Sequence, residues 1–183
     1  MEGYVETMFE ILTTRFNSIT YREMESWKER EEYKGCIYNT PVRMTDSISP
    51  NRYLFVLEMN NTLNKIMGIG LIKKRTYYEP RYKEIYNDYR FNNHTYKSKF
   101  HVRIYDADTA SSLLDDENDA QFIEEEFEKI LFFGKSHLKR GQCFTRIPLK
   151  KVKLRHKMFL VHLFQKYCPG INALLKFEEK EDQ

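Results

Sequence analysis

The chain has 183 residues, 41% hydrophobic and 31% charged, with seven glycines, five prolines and a formal net charge of +3. This length and composition fit one globular domain with a core of its own and exclude a disordered or low-complexity chain. No apolar run approaches the roughly 18 residues of a membrane span, so no membrane association is expected.

The N-terminal segment MEGYVETMFEILTTRF has early acids and lacks a basic-then-apolar pattern, so it does not read as a signal peptide. Val5, Met8, Phe9, Leu12 and Phe16 recur at helical spacing and predict a short amphipathic helix over 4–16. A second helix is predicted over 20–33, with Thr20 as N-cap and Glu23 three residues on completing a capping box. GCIYNTP, 35–41, reads as a short strand or extended loop. YLFVLEMN, 53–60, and IMGIGLIKK, 66–74, read as the strands of a hairpin. Gly68 and Gly70 lie two apart on one face of the second strand, where a ring or a neighbouring backbone can approach closely.

Residues 75–95 form a loop longer than most connections, rich in tyrosine, asparagine and cations. TYKSKFHVRI, 95–104, then alternates and predicts a third strand. Tyr96, Ser98, Phe100, Val102 and Ile104 fall on one face, and Lys97, Lys99, His101 and Arg103 fall on the other, toward water. An acidic loop over 106–118 leads to a helix over 119–134, stopped by Gly134. A basic loop with a short strand CFTRI precedes a helix over 152–168 ended by Pro169, and the tail FEEKEDQ is expected to fray. Strands in the middle and helices around them predict an α+β domain with a small mixed β-sheet or barrel. Cys36, Cys143 and Cys168 have no metal-like spacing, and their odd number argues against a closed disulfide framework, so an intracellular compartment is expected.

Charge is sorted along the chain. Residues 64–105 hold ten Lys or Arg and three acids, 106–128 hold ten acids and no Lys or Arg, and 129–166 hold eleven Lys or Arg and no acid. Such blocks predict separate basic and acidic faces, and a basic face attracts phosphates. From Tyr77 to Lys99 rings and cations interleave. Single-stranded nucleic acid needs both, because cations meet phosphates and flat rings accept unstacked bases. Each of these residues taken singly fits loop packing or a solvated face; the cluster as a whole favours nucleic acid. Lys97, Lys99 and Arg103, with Lys139 and Arg140 of the second basic block, are the candidate backbone contacts.

Tyr38, Asn39 and Thr40 combine a ring, an amide and a hydroxyl, a trio able to line a base pocket, although a tyrosine packed under a turn fits the same pattern. Gly134-Lys135-Ser136 lacks the glycine five residues earlier that a phosphate-binding loop requires. No paired-histidine, nucleophile-elbow or cysteine–histidine signature appears, so no enzyme, cofactor or metal site is expected.

The order CIYNTP, hairpin YLFVLEMN…KIMGIGLIKK, aromatic loop, YKSKFHVRI and FTRIPLKKVKLRHKMFLVHLFQKY resembles the PUA-like superfamily and, within it, YTH domains; the related EVE and ASCH branches stay open. Tyr96, Lys97, Phe100, Val102 and Arg103 echo one family strand, and Ile147, Pro148 and Leu149 echo a later step. The resemblance covers roughly residues 30–168, which leaves 1–29 as an N-terminal helical extension and 169–183 as a tail. It implies RNA binding and capture of an N6-methyladenine in an aromatic cage. Tyr38, beside Asn39 and Thr40, would take the first cage position, Phe91 the second, and Arg140 would stand near the residue that grips phosphate. Neither cage position is tryptophan; the only tryptophan, Trp27, lies outside the match. FVLEMNN…IMGIGLI with GKSHLKRG also resembles a family of short proteins of large nucleocytoplasmic DNA viruses.

The expected function is therefore binding of single-stranded RNA, or of single-stranded DNA, with a base pocket of Tyr38, Asn39, Thr40 and Phe91. The alternative is a viral structural or interaction protein that docks a protein partner through the acidic segment 106–128.

Overall fold

The computed structural model describes residues 1–141 and 143–178, with side chains to residue 175; residues 179–183 of the expected frayed tail lie outside the described residues. The fold is α+β. A five-stranded mixed sheet has the order β6-β4-β3-β1-β7, and a separate two-stranded sheet pairs β2 with β5. The larger sheet is open, with β6 and β7 at its edges, and no closed barrel forms.

The hairpin is where the sequence predicts it: β3 is Tyr53–Asn60 and β4 is Lys65–Ile72, antiparallel with Val56 opposite Gly70. Residues 4–16 do not form one helix. Helix α1, Glu2–Met8, gives way to strand β1, Phe9–Phe16, which runs parallel to β3. β1 is interior to the sheet and nearly all of it is buried, so the polar–apolar alternation that marks a half-exposed strand is missing. The first 29 residues thus contribute an interior strand as well as helices. Helix α2, Ser18–Arg30, starts two residues earlier than expected. Asn17, not Thr20, is its N-cap: Asn17 Oδ1 accepts from the Thr20 amide at 2.8 Å, and Thr20 Oγ1 accepts from the Asn17 amide at 3.1 Å.

The third strand is two strands. β5, His94–Ser98, pairs with β2, Cys36–Thr40, while β6, His101–Arg103, pairs with β4. The chain changes sheet at Lys99-Phe100. The loop before β5 contains 3-10 turns at Pro80–Glu84 and Tyr89–Phe91. Helices α3, Glu117–Phe122, and α4, Lys129–Phe132, are joined by a π-helical stretch, Ile123–Glu128. The short strand β7 is Thr145–Arg146. Helix α5, Leu154–Tyr167, stops before Pro169, and α6 follows over Ile171–Glu178.

One face of the large sheet packs on α5, with Phe55 and Phe164 rings 5.2 Å apart. The opposite face carries Glu58, Gly68 and Gly70, and the β2–β5 sheet rests there. A side chain at Gly70 would run into the Tyr38 hydroxyl and lie 2.6 Å from Cys36 Sγ. Gly70 is where the small sheet meets the large one, whereas a Cβ at Gly68 would lie 2.5 Å from Glu58 Oε2 and 2.8 Å from His101 Nε2, both of the large sheet. Among the described residues no helix is long and apolar enough to cross a membrane.

Acids of 106–128 pair with cations from elsewhere: Asp116 and Asp119 with Lys166, Glu126 with Arg155, Glu128 with Lys65, and Asp108 with Arg22. Five of the ten acids of this segment are thus ion-paired among the described residues.

Candidate base-binding cavity

β2 positions the central side chains. Because successive residues of a strand point to opposite faces, Tyr38 points toward the large sheet with Cys36, and Asn39 points toward the long loop. The Tyr38 hydroxyl donates to Glu58 Oε1 at 2.7 Å, and His101 Nε2 lies 2.9 Å from the same oxygen. Burial acts to raise the Glu58 pKa, but His101, then Lys28 and Tyr38, outweigh it and hold the carboxyl below its usual value. Burial pushes the Tyr38 phenol well above its ordinary pKa and the Cys36 thiol up to about 12. Both stay protonated at neutral pH, so Tyr38 is a fixed donor to a buried carboxylate.

Above this network lies a cavity of about 550 Å³, within the ~300–1,000 Å³ usual for small-ligand sites. Tyr38, Asn39 and Thr40 line it from β2, Phe91 and Arg90 from the long loop, and Lys139 from the second basic block. Four residues expected to form a base pocket, from segments some fifty positions apart, thus border one space. Tyr38 is only 1% exposed and presents little ring surface. Phe91 is 42% exposed and is the ring most open to stacking. Tyr86, also in the wall, stands at 76° to Phe91.

Among the described residues no carboxylate lines the cavity, and three cations do: Arg15, Arg90 and Lys139. Arg90 is held by Asp88 at 2.7 Å. Lys139 Nζ donates to Asn64 Oδ1, a neutral acceptor, at 2.7 Å. Arg15 donates from Nε to the Leu138 carbonyl at 2.7 Å and from Nη1 to Thr145 Oγ1 at 3.0 Å, while Nη2 has no partner among the described residues. Burial pulls the Arg15 pKa below its usual value. Asn39 Oδ1 and Asn61 Oδ1, on two further lining residues, are also buried without a partner among the described residues. Each such atom costs about 1–3 kcal/mol while unsatisfied.

The expected backbone contacts are divided. Lys139 borders the cavity, and Arg140 is exposed beside it in the chain. Lys97 does not face water as a free charge. Its Nζ lies among the rings of Tyr33, Tyr77 and Tyr82, at 5.9, 5.2 and 4.7 Å from their centroids, and donates to the Tyr82 hydroxyl. Arg103 pairs with Glu25 at 3.1 Å, and the His101 side chain is buried against Glu58. Of the predicted basic row only Lys99 is exposed without an ion-pair partner among the described residues.

The sequence reading missed Arg15 and Asn61 as lining residues. Arg15 was hidden inside the predicted helix; a lone arginine between threonines and a phenylalanine, TTRF, was its only signal. Asn61 looked like ordinary turn material. No protein-family model, curated protein or solved structure matches this chain.

Proposed function

We propose that the protein binds single-stranded nucleic acid, RNA in the first instance, and receives one unstacked base in the cavity beside Phe91. The observation that carries this reading is the meeting of an accessible ring with two cations, Arg15 and Lys139, that have no carboxylate partner among the described residues, in a cavity without acidic lining. Rings favour a base face, and the cations favour the phosphates on either side of it. Phosphate contacts come from Lys139, Arg140 and Lys99. Lys97 and Arg103 serve the fold. Because Tyr86 and Phe91 stand edge to face, they do not sandwich a base between parallel rings, and the reading carries no requirement for a methylated adenine.

The test is fluorescence anisotropy with a short labelled single-stranded RNA at two salt concentrations, with the DNA counterpart and an N6-methyladenine version alongside. Binding should saturate and weaken steeply with salt. Phe91→Ala should lower affinity by about 1–3 kcal/mol, the worth of one stacked base. Lys139→Ala should reduce the salt slope by about 0.7, the single-strand value for one phosphate. Non-saturating binding at low salt, or both variants binding like the parent, would remove the proposal.

A further inference from the structure

We propose that Arg43 and Tyr78 form a second nucleotide subsite beside the cavity, so that the ligand is a strand of two or more nucleotides and not a free nucleotide. The inference rests on the base-capture reading: one base lies by Phe91, the next stacks on Tyr78, and Arg43 meets the phosphate of the linkage. The small sheet places both side chains. Thr40 and Pro41 line the cavity. The chain leaves it at Val42, whose carbonyl accepts from the Thr40 hydroxyl at 2.7 Å, and Arg43 follows. Two residues span at most about 7 Å, so the Arg43 backbone starts within that reach of the Pro41 wall. Tyr78 comes from the long loop. The Tyr77 amide donates to the Thr95 carbonyl at 2.9 Å, and Thr95 pairs in turn with Asn39. Antiparallel register then sets Tyr78 opposite His94, the partner of Thr40. Two strand spacings put its backbone roughly 10 Å from Thr40. The two segments meet where Arg43 Nη2 donates to the Tyr78 hydroxyl at 3.4 Å. Asn93 Nδ2 donates to the Pro41 carbonyl at 3.2 Å, which ties the stretch just after Phe91 to the same rim.

Tyr78 is 64% exposed, more than Phe91. Arg43 holds it by the hydroxyl, at the tip, and no other aromatic ring packs on it among the described residues. Arg43 is exposed and has no carboxylate partner among the described residues. The acids nearest in sequence are engaged elsewhere, Glu79 by Arg81 at 2.8 Å and Asp46 by Lys74 at 3.2 Å. The rim thus repeats the pairing found in the cavity, an open ring with a cation that no acid neutralises. Rings accept base faces in any sequence, and an arginine fork fits a phosphate. A free nucleotide can fill only one of the two places. A strand fills both, and its second contact is intramolecular once the first has formed.

The probe is a labelled six-nucleotide single-stranded RNA of mixed sequence, read by fluorescence anisotropy, with the four nucleoside monophosphates as unlabelled competitors. The hexanucleotide should bind at least about tenfold tighter than any monophosphate, the scale of one more stacked base. Tyr78→Ala should weaken hexanucleotide binding about tenfold. Tyr78→Phe keeps the ring and should stay within about twofold of the parent. Arg43→Gln should reduce the salt slope by about 0.7, the value for one phosphate on a single strand. None of the three should alter competition by the monophosphates. Monophosphates that fail to compete, with the hexanucleotide still sensitive to Tyr78 and Arg43, would support the strand equally. If Tyr78→Ala or Arg43→Gln binds the hexanucleotide like the parent while Phe91→Ala weakens it, the second subsite is overturned and base capture stands. A monophosphate as tight as the hexanucleotide would overturn the second subsite too. Sensitivity to Tyr78 without sensitivity to Phe91 would overturn base capture and, with it, the path between two subsites. No binding of any probe would overturn both.

Discussion

Replacing Gly70 with alanine tests the contact on which the cavity floor depends. Gly70 sits on an interior strand, opposite Val56 on β3 and His101 on β6, so its backbone is held from both sides. A Cβ there would overlap the Tyr38 hydroxyl and lie 2.6 and 2.8 Å from Cys36 Sγ and Cβ. β2 must lift to make room. Overpacking a close-packed site costs about 1–3 kcal/mol, and moving the phenol off a buried carboxylate removes a charge-assisted hydrogen bond worth about 1.5–3 kcal/mol. The expected loss is about 2.5–6 kcal/mol, a large part of the ~5–15 kcal/mol that holds a typical domain together. Gly3 provides the control. No heavy atom lies within 4 Å of its would-be Cβ, and it sits in α1, where alanine gains up to about 1 kcal/mol over glycine. Equilibrium unfolding in urea measures both. If Gly70→Ala unfolds within about 0.5 kcal/mol of the parent, the size of an ordinary surface substitution, the small sheet does not rest on this strand and the cavity floor is wrongly assigned.

The other expected outcomes concern the network, the cap and the tyrosine cluster. Asn17→Ala removes the N-cap of α2 and should cost about 1 kcal/mol in urea unfolding; a change under a few tenths would refute the capping box. Lys97→Met keeps the stem among the three tyrosines but removes the charge, and should cost about 1–2 kcal/mol while leaving the salt slope of RNA binding unchanged. A reduced slope would return Lys97 to the phosphate contacts. The depressed pKa of Glu58 sets a sign for acid behaviour. Its contribution is present above the unfolded value of about 4.3 and fades as pH falls through the lower folded value. The thermal midpoint should therefore drop on acidification below about pH 4. Glu58→Gln should be less stable at neutral pH and lose less on acidification; an unaltered acid limb would refute the role.

How far each element was legible followed from what its environment did to the periodicity. β3 and β4 lie next to each other in sequence and are joined by a short turn, so their apolar runs stood out between turn residues. Gly70 of β4 marked the approach of the Tyr38 ring from β2, while Gly68 makes room for Glu58 and His101. β1 was hidden. Covered on both faces, it has no polar side, and Phe9, Leu12 and Phe16 happen to match a helical repeat. The β-branched run Ile11, Thr13 and Thr14 was the signal for extension. TYKSKFHVRI alternates, yet alternation does not say that its polar side meets water. Lys97 and His101 were turned inward by partners far away in sequence, three tyrosines and Glu58, which no local pattern reveals. The same holds for the cavity. Tyr38, Asn39, Thr40 and Phe91 could be picked out by chemical type, but Arg15 and Asn61 become lining residues only through the hydrogen bonds that orient them.

The fate of the charges decides which part of the surface can meet an anion. A cation paired to a carboxylate contributes little field beyond its own neighbourhood, because the pair looks nearly neutral from a Debye length away. Arg103 is paired in this way with Glu25, and Arg90 with Asp88. Lys97 is different in kind: its charge is held against ring faces, with Glu79 3.7 Å away, and serves to fix the loop that carries Tyr82. Tyr82 in turn accepts from Asn39 through its carbonyl, so the lysine expected to touch phosphate instead helps hold one wall of the cavity. Lys139 faces only a neutral amide, and Arg15 is fixed by carbonyls and a hydroxyl. Among the cations that line the cavity, Arg15 and Lys139 are thus the two without a carboxylate partner among the described residues, and because the protein has already oriented them a ligand has less ordering to impose on binding.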